Sequence, residues 1–245
     1  MFTHFLGGQD PDVSAHLARM TSKDRDLHAD LEALILGLKY DGLWDKIEIL
    51  CVTSILEADS LLNLKGSKSG TDSINSSGVS FTSDAGFDFI ATPGQTITLN
   101  YAETDCSILG QYDSHQLVYI GDHDGDDQYI LSNNINYTAI RDISTGWNVK
   151  TQQGTISVSS AAAGLVLGTC TAINSRQARV NDTVGASATS TAHTLQANDF
   201  GISSGSSSTN RLSAWGIGAG LTLTEHGNYE DRIRTYAQAR GFDVF

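Results

Sequence analysis

From residue 67 onward the chain is a succession of short β-branched or aromatic runs set in a background of Gly, Ser, Thr, Asn and Asp. No other feature restricts the fold as strongly. Each run is long enough for one half-buried strand and is bounded by residues that favour turns. The candidate strands are VSFTS, FDFIAT, TITLNYA, SILGQY, QLVYIG, QYILSN, YTAIRD, GTISVS, GLVLGTC, QARVND, TAHTL and RLSAWGIG. Only Pro11 and Pro93 could interrupt backbone pairing, so the sheets can be long. With no internal repeat to suggest a propeller or solenoid, the pattern predicts an all-β, two-sheet antiparallel sandwich.

Helical periodicity brackets this region. Leu27, Leu31, Leu34, Ile35 and Leu38 recur at helical spacing behind TSKD. There Thr21 or Ser22 can cap the first amides, and Asp24 suits the positive end of the helix dipole. Gly42 is a natural stop, and the alternation of Ile47, Ile49 and Cys51 predicts a strand over 46–54. EADSLLNLKG reads as one or two helical turns around Leu61 and Leu62, ending at Gly66. NDFGISSGSSSTNRL, rich in Ser and Gly, reads as a long surface loop. Past Gly220, Leu223, Tyr229, Ile233, Tyr236 and Ala237 share a helical face that Gly241 terminates. The chain thus divides into an N-terminal helical segment, 1–42, for attachment or oligomerisation, and a sandwich, 43–245, closed by a C-terminal helix.

A formal charge of -13 on 245 residues argues against nucleic acid and anionic membranes, whose partners usually present a basic face. The N-terminus lacks a basic region followed by an apolar run, and no later segment is apolar enough for membrane insertion. The expectation is a soluble chain made in a cytoplasm without a signal peptide. Cys51, Cys106 and Cys170 lie far apart, which fits reduced thiols and not a zinc framework.

WGIGAGLTLTEHG raises the question of a phosphate cradle. A dinucleotide fingerprint needs G-x-G-x-x-G early in a parallel α/β unit, with an acidic residue about 20 positions on. Here Gly216, Gly218 and Gly220 are spaced G-x-G-x-G, and too little chain follows for a second strand. Thr222 and Glu225 form a capping box instead, and Glu225 would repel a phosphate. The expectation is a structural turn and no cofactor.

Asp122, Asp124 and Asp126 in GDHDGDDQY alternate as hard oxygen ligands do, and a surface calcium is one reading. A helix–loop–helix calcium loop would need Gly and Glu where Asp127 and Asn133 stand. The other reading is a β-hairpin turn in which the Asp-Gly pair supplies positive φ. Nothing signals catalysis: Asp113 and His115 are unaccompanied by a nucleophile elbow, H-E-x-x-H or S-x-x-K, and His115 reads as a solvated turn residue. Glu103 and Asp105 could pair across a groove with the turn aspartates, but the expectation is no enzyme. Tyr101, Tyr112, Tyr129, Tyr137 and Trp147 are candidate stacking platforms for glycan, with core packing as the alternative for each ring.

LILGLKYDGLWDKIEILCV, ADSLLNLKG and the closing RLSAWGIGAGLTLTEHGNYEDRIRTYAQARG resemble a module of tailed-bacteriophage and gene-transfer-agent virion proteins. The match covers 28–66 and 211–241, with GFDFIATPG a weaker echo between them. The resemblance implies a concanavalin-like, laminin-G-like jelly roll in a tail fibre, tail spike, head fibre or head decoration. It further implies a homo-oligomer, a trimer by analogy to fibres, with other virion proteins and host-surface polysaccharide as partners. A free carbohydrate-binding lectin module and a tail-spike depolymerase are the alternatives, and the family supplies no catalytic motif to carry over.

Overall fold

The computed structural model describes residues 9–66, 79–89, 96–110, 112–122, 128–134, 138–143, 146–151, 154–160, 163–172, 175–185, 195, 197–203 and 210–242. The fold begins with helix α1 (Pro11–Arg19), where Pro11 occupies a position that needs no donor. Asp10 Oδ1 accepts from the amides of Asp12 and Val13. Helix α2 (Arg25–Tyr40) is capped by Asp24, which accepts from Leu27 N at 2.8 Å. The expected cap from Thr21 or Ser22 is therefore corrected. Those two residues lie before the helix and donate their backbone amides to Asp59, at 2.8 Å each. Asp59 belongs to the single turn α3 (Glu57–Ser60) and is buried. Gly42 ends α2 at φ 71°, a left-handed conformation that disfavours a side chain.

The large sheet contains β1 (Ile47–Val52), β2 (Val79–Thr82), β3 (Gly86–Phe89), β5 (Ser114–Asp122), β10 (Gly164–Ala172), β11 (Ser175–Val180), β12 (Thr183–Val184) and β14 (Asn210–Gly218). Its order is β12-β11-β10-β5-β14-β3-β2, with β1 and β3 sharing the same flank of β14. The second sheet contains β4 (Thr96–Ala102), β6 (Gln128–Asn134), β7 (Thr138–Ile143), β8 (Gly146–Thr151), β9 (Gly154–Val158) and β13 (Asp199–Ser203), ordered β4-β13-β6-β7-β8-β9. Every pairing among the described residues is antiparallel. The all-β sandwich with helices at both ends is the architecture expected from the sequence.

Two cores lie on opposite faces of the large sheet. Between the sheets, Val118, Ile120, Val166, Trp147, Val149, Phe200, Ile202 and Trp215 pack together. On the outer face, Leu117, Tyr119, Leu165 and Leu167 meet α2 and the last helix, α4 (Leu223–Arg240). The middle of the large sheet is thus buried on both sides, so the apolar stripe of α2 is spent on its own sandwich. Among the described residues no helix is long and apolar enough to cross a membrane.

Several local expectations change. The described residues of SILGQY form no strand; Gly110 makes an isolated bridge to Asp113, and β5 starts at Ser114. The loop proposed at NDFGIS contains β13, because Phe200 and Ile202 alternate into the core despite the Ser/Gly surroundings. GWNVKT, absent from the candidate strands, is β8, with Trp147 and Val149 inward. The hairpin expected around 122–128 is absent: β5 pairs with β10 and β14, whereas β6 pairs with β7 and β13 in the other sheet. TAHTL falls almost wholly outside the described residues.

Helix α4 starts with the expected capping box, Thr222 and Glu225 each bonding the other's backbone amide. Leu223 departs from the predicted face and is exposed. Thr222→Ala is expected to cost about 1 kcal/mol, read as a lowered denaturant midpoint at unchanged slope.

Candidate functional site

The glycine run is built into a strand junction. β14 ends between β1 and β5, and their backbones close on it. A Cβ at Gly218 would lie 2.0 Å from Lys46 O and 2.6 Å from His115 Cε1. At Gly220 it would lie 2.4 Å from Cys170 O, and at Gly216 2.8 Å from Ile49 O. Backbone carbonyls therefore close on all three glycines. Ala219 N donates to Lys46 O at 2.9 Å, and Gly220 N donates to Asp113 Oδ1 at 2.6 Å. Glu225 receives Lys46 Nζ at 2.7 Å. Burial opposes ionisation of Glu225, but the bonds from Lys46 and Thr222 outweigh it and hold the carboxyl below its usual range.

His115 is not a solvated turn residue. It sits on β5, 2 % exposed, and its Nδ1 donates to Ala219 O at 2.5 Å. A carbonyl can only accept, so the neutral ring carries its lone pair on Nε2. The sequence reading missed this because Asp113 lies two residues away and suggested a turn, whereas Asp113 bonds the glycine turn.

Of the five candidate aromatic residues, two are corrected. Trp147 is 0 % exposed between the sheets, and Tyr101 is also buried, so neither presents a ring face to a sugar. Tyr112 is half-buried. Tyr129 lies on β6 with its side chain outside the described residues, as does the whole of Tyr137. Asp122 ends β5, and Asp124 and Asp126 lie outside the described residues. Among the described residues no group of three acidic, His or Cys side chains is placed to hold a metal.

The structure instead brings polar groups together at the mouth of the sandwich. A cleft of about 290 Å³ is lined by Ile47, Glu48, Asn63, Lys65, Ser107 and Ile108. Asn63 positions it by acting as a surrogate strand along β1. Its Oδ1 accepts from Leu50 N at 3.0 Å, and its Nδ2 donates to Glu48 O at 3.1 Å. This covers an edge that would otherwise expose unpaired amides, and it gives LNLKG a physical role. Glu48 accepts from Tyr101 Oη at 2.5 Å and from Ser107 Oγ at 2.8 Å. Burial, followed by that bond to Glu48, pushes the Tyr101 phenol up. Lys65 donates to Trp44 O, and burial lowers its ammonium despite Asp45 and Glu48 nearby. The polar groups at the cleft are thus bonded to one another, to Tyr101 or to backbone. Tyr101 does not line the cleft; its hydroxyl buttresses Glu48 from behind.

Comparison with known proteins adds a fold-level likeness. No family model and no curated protein matches the chain. The crystal structure of a tryptophan-to-alanine mutant of HCR/D superposes with a TM-score of 0.54 and 8 % identity, covering 77 % of this chain and 51 % of that one. The likeness is one of β-sandwich fold. The chain spans about half the length of that structure, and the identity is too low to carry any residue across. Glu48, Asn63, Lys65 and Ser107 were missed as a group. Asn63 and Lys65 stand in a motif of unusual regularity, but Ser107 reaches the cleft only through the fold.

Proposed function

We propose that this chain is a non-enzymatic structural protein of a tailed-phage or gene-transfer-agent particle, a fibre or decoration component whose sandwich adheres to host-surface glycan. One observation carries the reading. The two segments that resemble the virion module, 28–66 and 211–241, are distant in sequence yet form one packed unit. Within it β1 pairs with β14, Arg232 meets Asp41 at 2.7 Å, and Tyr236 Oη donates to Thr53 O at 2.6 Å. A resemblance split along the chain but contiguous in space fits a shared frame, with the intervening strands free to vary.

Thr155 and Ser157 on β9 of the smaller sheet are exposed and polar. Together with the mouth cleft they offer the surface that adhesion needs. Glu48 is engaged by Tyr101 and Ser107, an arrangement suited to reading hydroxyl groups more than to proton transfer. Other virion proteins and further copies of this chain, in a trimer, are the expected partners. The two-sheet sandwich equally suits a second reading, a free carbohydrate-binding, lectin-like module.

Labelling particles with an antibody to this chain separates the two readings, since only a virion protein decorates them. For adhesion, Ser107→Tyr fills the cleft from an exposed position. It is expected to weaken the best binder on a glycan array at least tenfold, about 1.4 kcal/mol, at unchanged melting temperature. Equal binding by the variant would remove the cleft from the proposal.

A further inference from the structure

Beneath the first turns of α4 lies a polar cluster with no role in the cleft or the frame contacts above. His226 is 0 % exposed, and neither ring nitrogen has a hydrogen-bond partner among the described residues. The same holds for His115 Nε2 and for the hydroxyl of Tyr229, which is also fully buried. The His115 and Tyr229 rings meet edge to face, 5.6 Å between centroids. His226 and Tyr229 are three residues apart and share a helical face. Unpartnered polar atoms at this depth cost stability and are uncommon without a role.

The charged groups around the cluster are already engaged. On α4, Glu225 pairs with Lys46 of the turn before β1. Glu230 Oε2 lies 2.8 Å from Arg179 Nε of β11, but that N–H points at Asn181 O, so the contact is a charge pair without a hydrogen bond. Burial raises the Glu230 carboxyl, against the opposing pull of Arg179. Arg179 also meets Asp182, and Asp113 bonds the Gly220 amide. Cys51 of β1 lies within electrostatic reach of Tyr229 but packs into the core between the sheets, and Arg234 stands near Glu230.

We propose that His115 and His226 make the seating of the amino-terminal half of α4 on the large sheet acid-sensitive, so that it lifts as pH falls below about 6. The inference does not depend on the virion or glycan reading. A proton on either ring would create a buried cation next to Lys46 and Arg179 with no acceptor prepared for it. Burial holds His115 at about 4, opposed by its bond to Ala219. Burial, reinforced by His115 and Arg179, holds His226 at about 3. Both values lie below the unfolded value of about 6.5, so the opened helix takes up protons that the seated helix refuses. Seating is complete above that pH and weakens progressively as pH falls toward 4.

The geometry localises the opening. Gly227 and Asn228, both poor helix formers, follow His226 directly. The other half of α4 is fastened by Tyr236 to Thr53, Arg232 to Asp41, and Arg240 to Asp30 and Asp84.

Native-state hydrogen exchange at pH 8 and pH 5, corrected for the chemical exchange rate, tests the proposal. Each histidine released contributes about thirtyfold to the opening equilibrium at pH 5, and the two together about a thousandfold. The amides of residues 226–230 should lose protection by that factor while those of β5 and β10 keep theirs. In His226→Leu the loss should shrink to about thirtyfold. An unchanged loss in that variant, an equal loss in β5 and β10, or no loss in the native chain overturns the proposal. If the variant does not fold, ring titration by NMR in the native chain decides. Both rings should stay neutral to pH 5 while α4 is seated, and titration of either near 6.5 in the seated state refutes it.

Discussion

Trp147→Ala is expected to destabilise the protein by about 3–5 kcal/mol, because it removes a fully buried indole from the space between the sheets. For a domain of this size that corresponds to a fall in melting temperature of roughly 10 °C. Trp147 stands opposite Val158 on β9, with Val149 beside Ile156 on the same inner face. The neighbours are strands in register on both sides and cannot collapse into the cavity without breaking their ladders. A sugar-stacking tryptophan would behave oppositely, losing glycan affinity at unchanged stability. Thermal denaturation and glycan binding on the same variant separate these outcomes.

Gly218→Ala is expected to cost about 3 kcal/mol, at the upper end for a single added methyl. The new Cβ would meet Lys46 O at 2.0 Å, and a main-chain atom held by the β1–β14 ladder cannot step aside as a flexible side chain would. Gly42→Ala is the contrast. Nothing lies within 4 Å of its Cβ, but φ of 71° imposes a penalty of about 1 kcal/mol. Urea unfolding of the two variants should rank them in that order. If Gly218→Ala were as stable as the parent, the close packing of β1 on β14 would be wrong and the glycine run would need another explanation.

Much of the frame was legible because its signals are local. The leucine spacing of α2, the stop at Gly42, the capping box at Thr222 and Glu225, and the terminator Gly241 each report backbone chemistry within a few residues. Strand positions were legible where apolar alternation was dense, as in β5, β10 and β14. They were missed where one or two inward residues sat in polar surroundings, as Phe200 and Ile202 do in β13. Trp147 drew attention as an aromatic residue, although its alternation with Val149 already pointed to a core strand.

The site was far less readable. His115 looked like a turn residue because composition reports neighbours in sequence, whereas its burial comes from β10, β14 and α4. Tyr101 was singled out for its ring, yet the ring is buried and only its bond to Glu48 connects it with the cleft.

The sequence by itself determined the antiparallel β class, the helices at either end and the structural nature of the glycine turn, since short-range periodicity and capping encode these. Only the tertiary structure decided which strands share a sheet, that α2 and α4 cover the outer face, and that His115 of β5 and His226 of α4 are buried where that helix meets the sheet. Those outcomes depend on contacts between residues more than a hundred positions apart, such as Lys46 with Glu225 and His115 with Ala219. Burial of apolar surface selects such contacts only once the layers have come together.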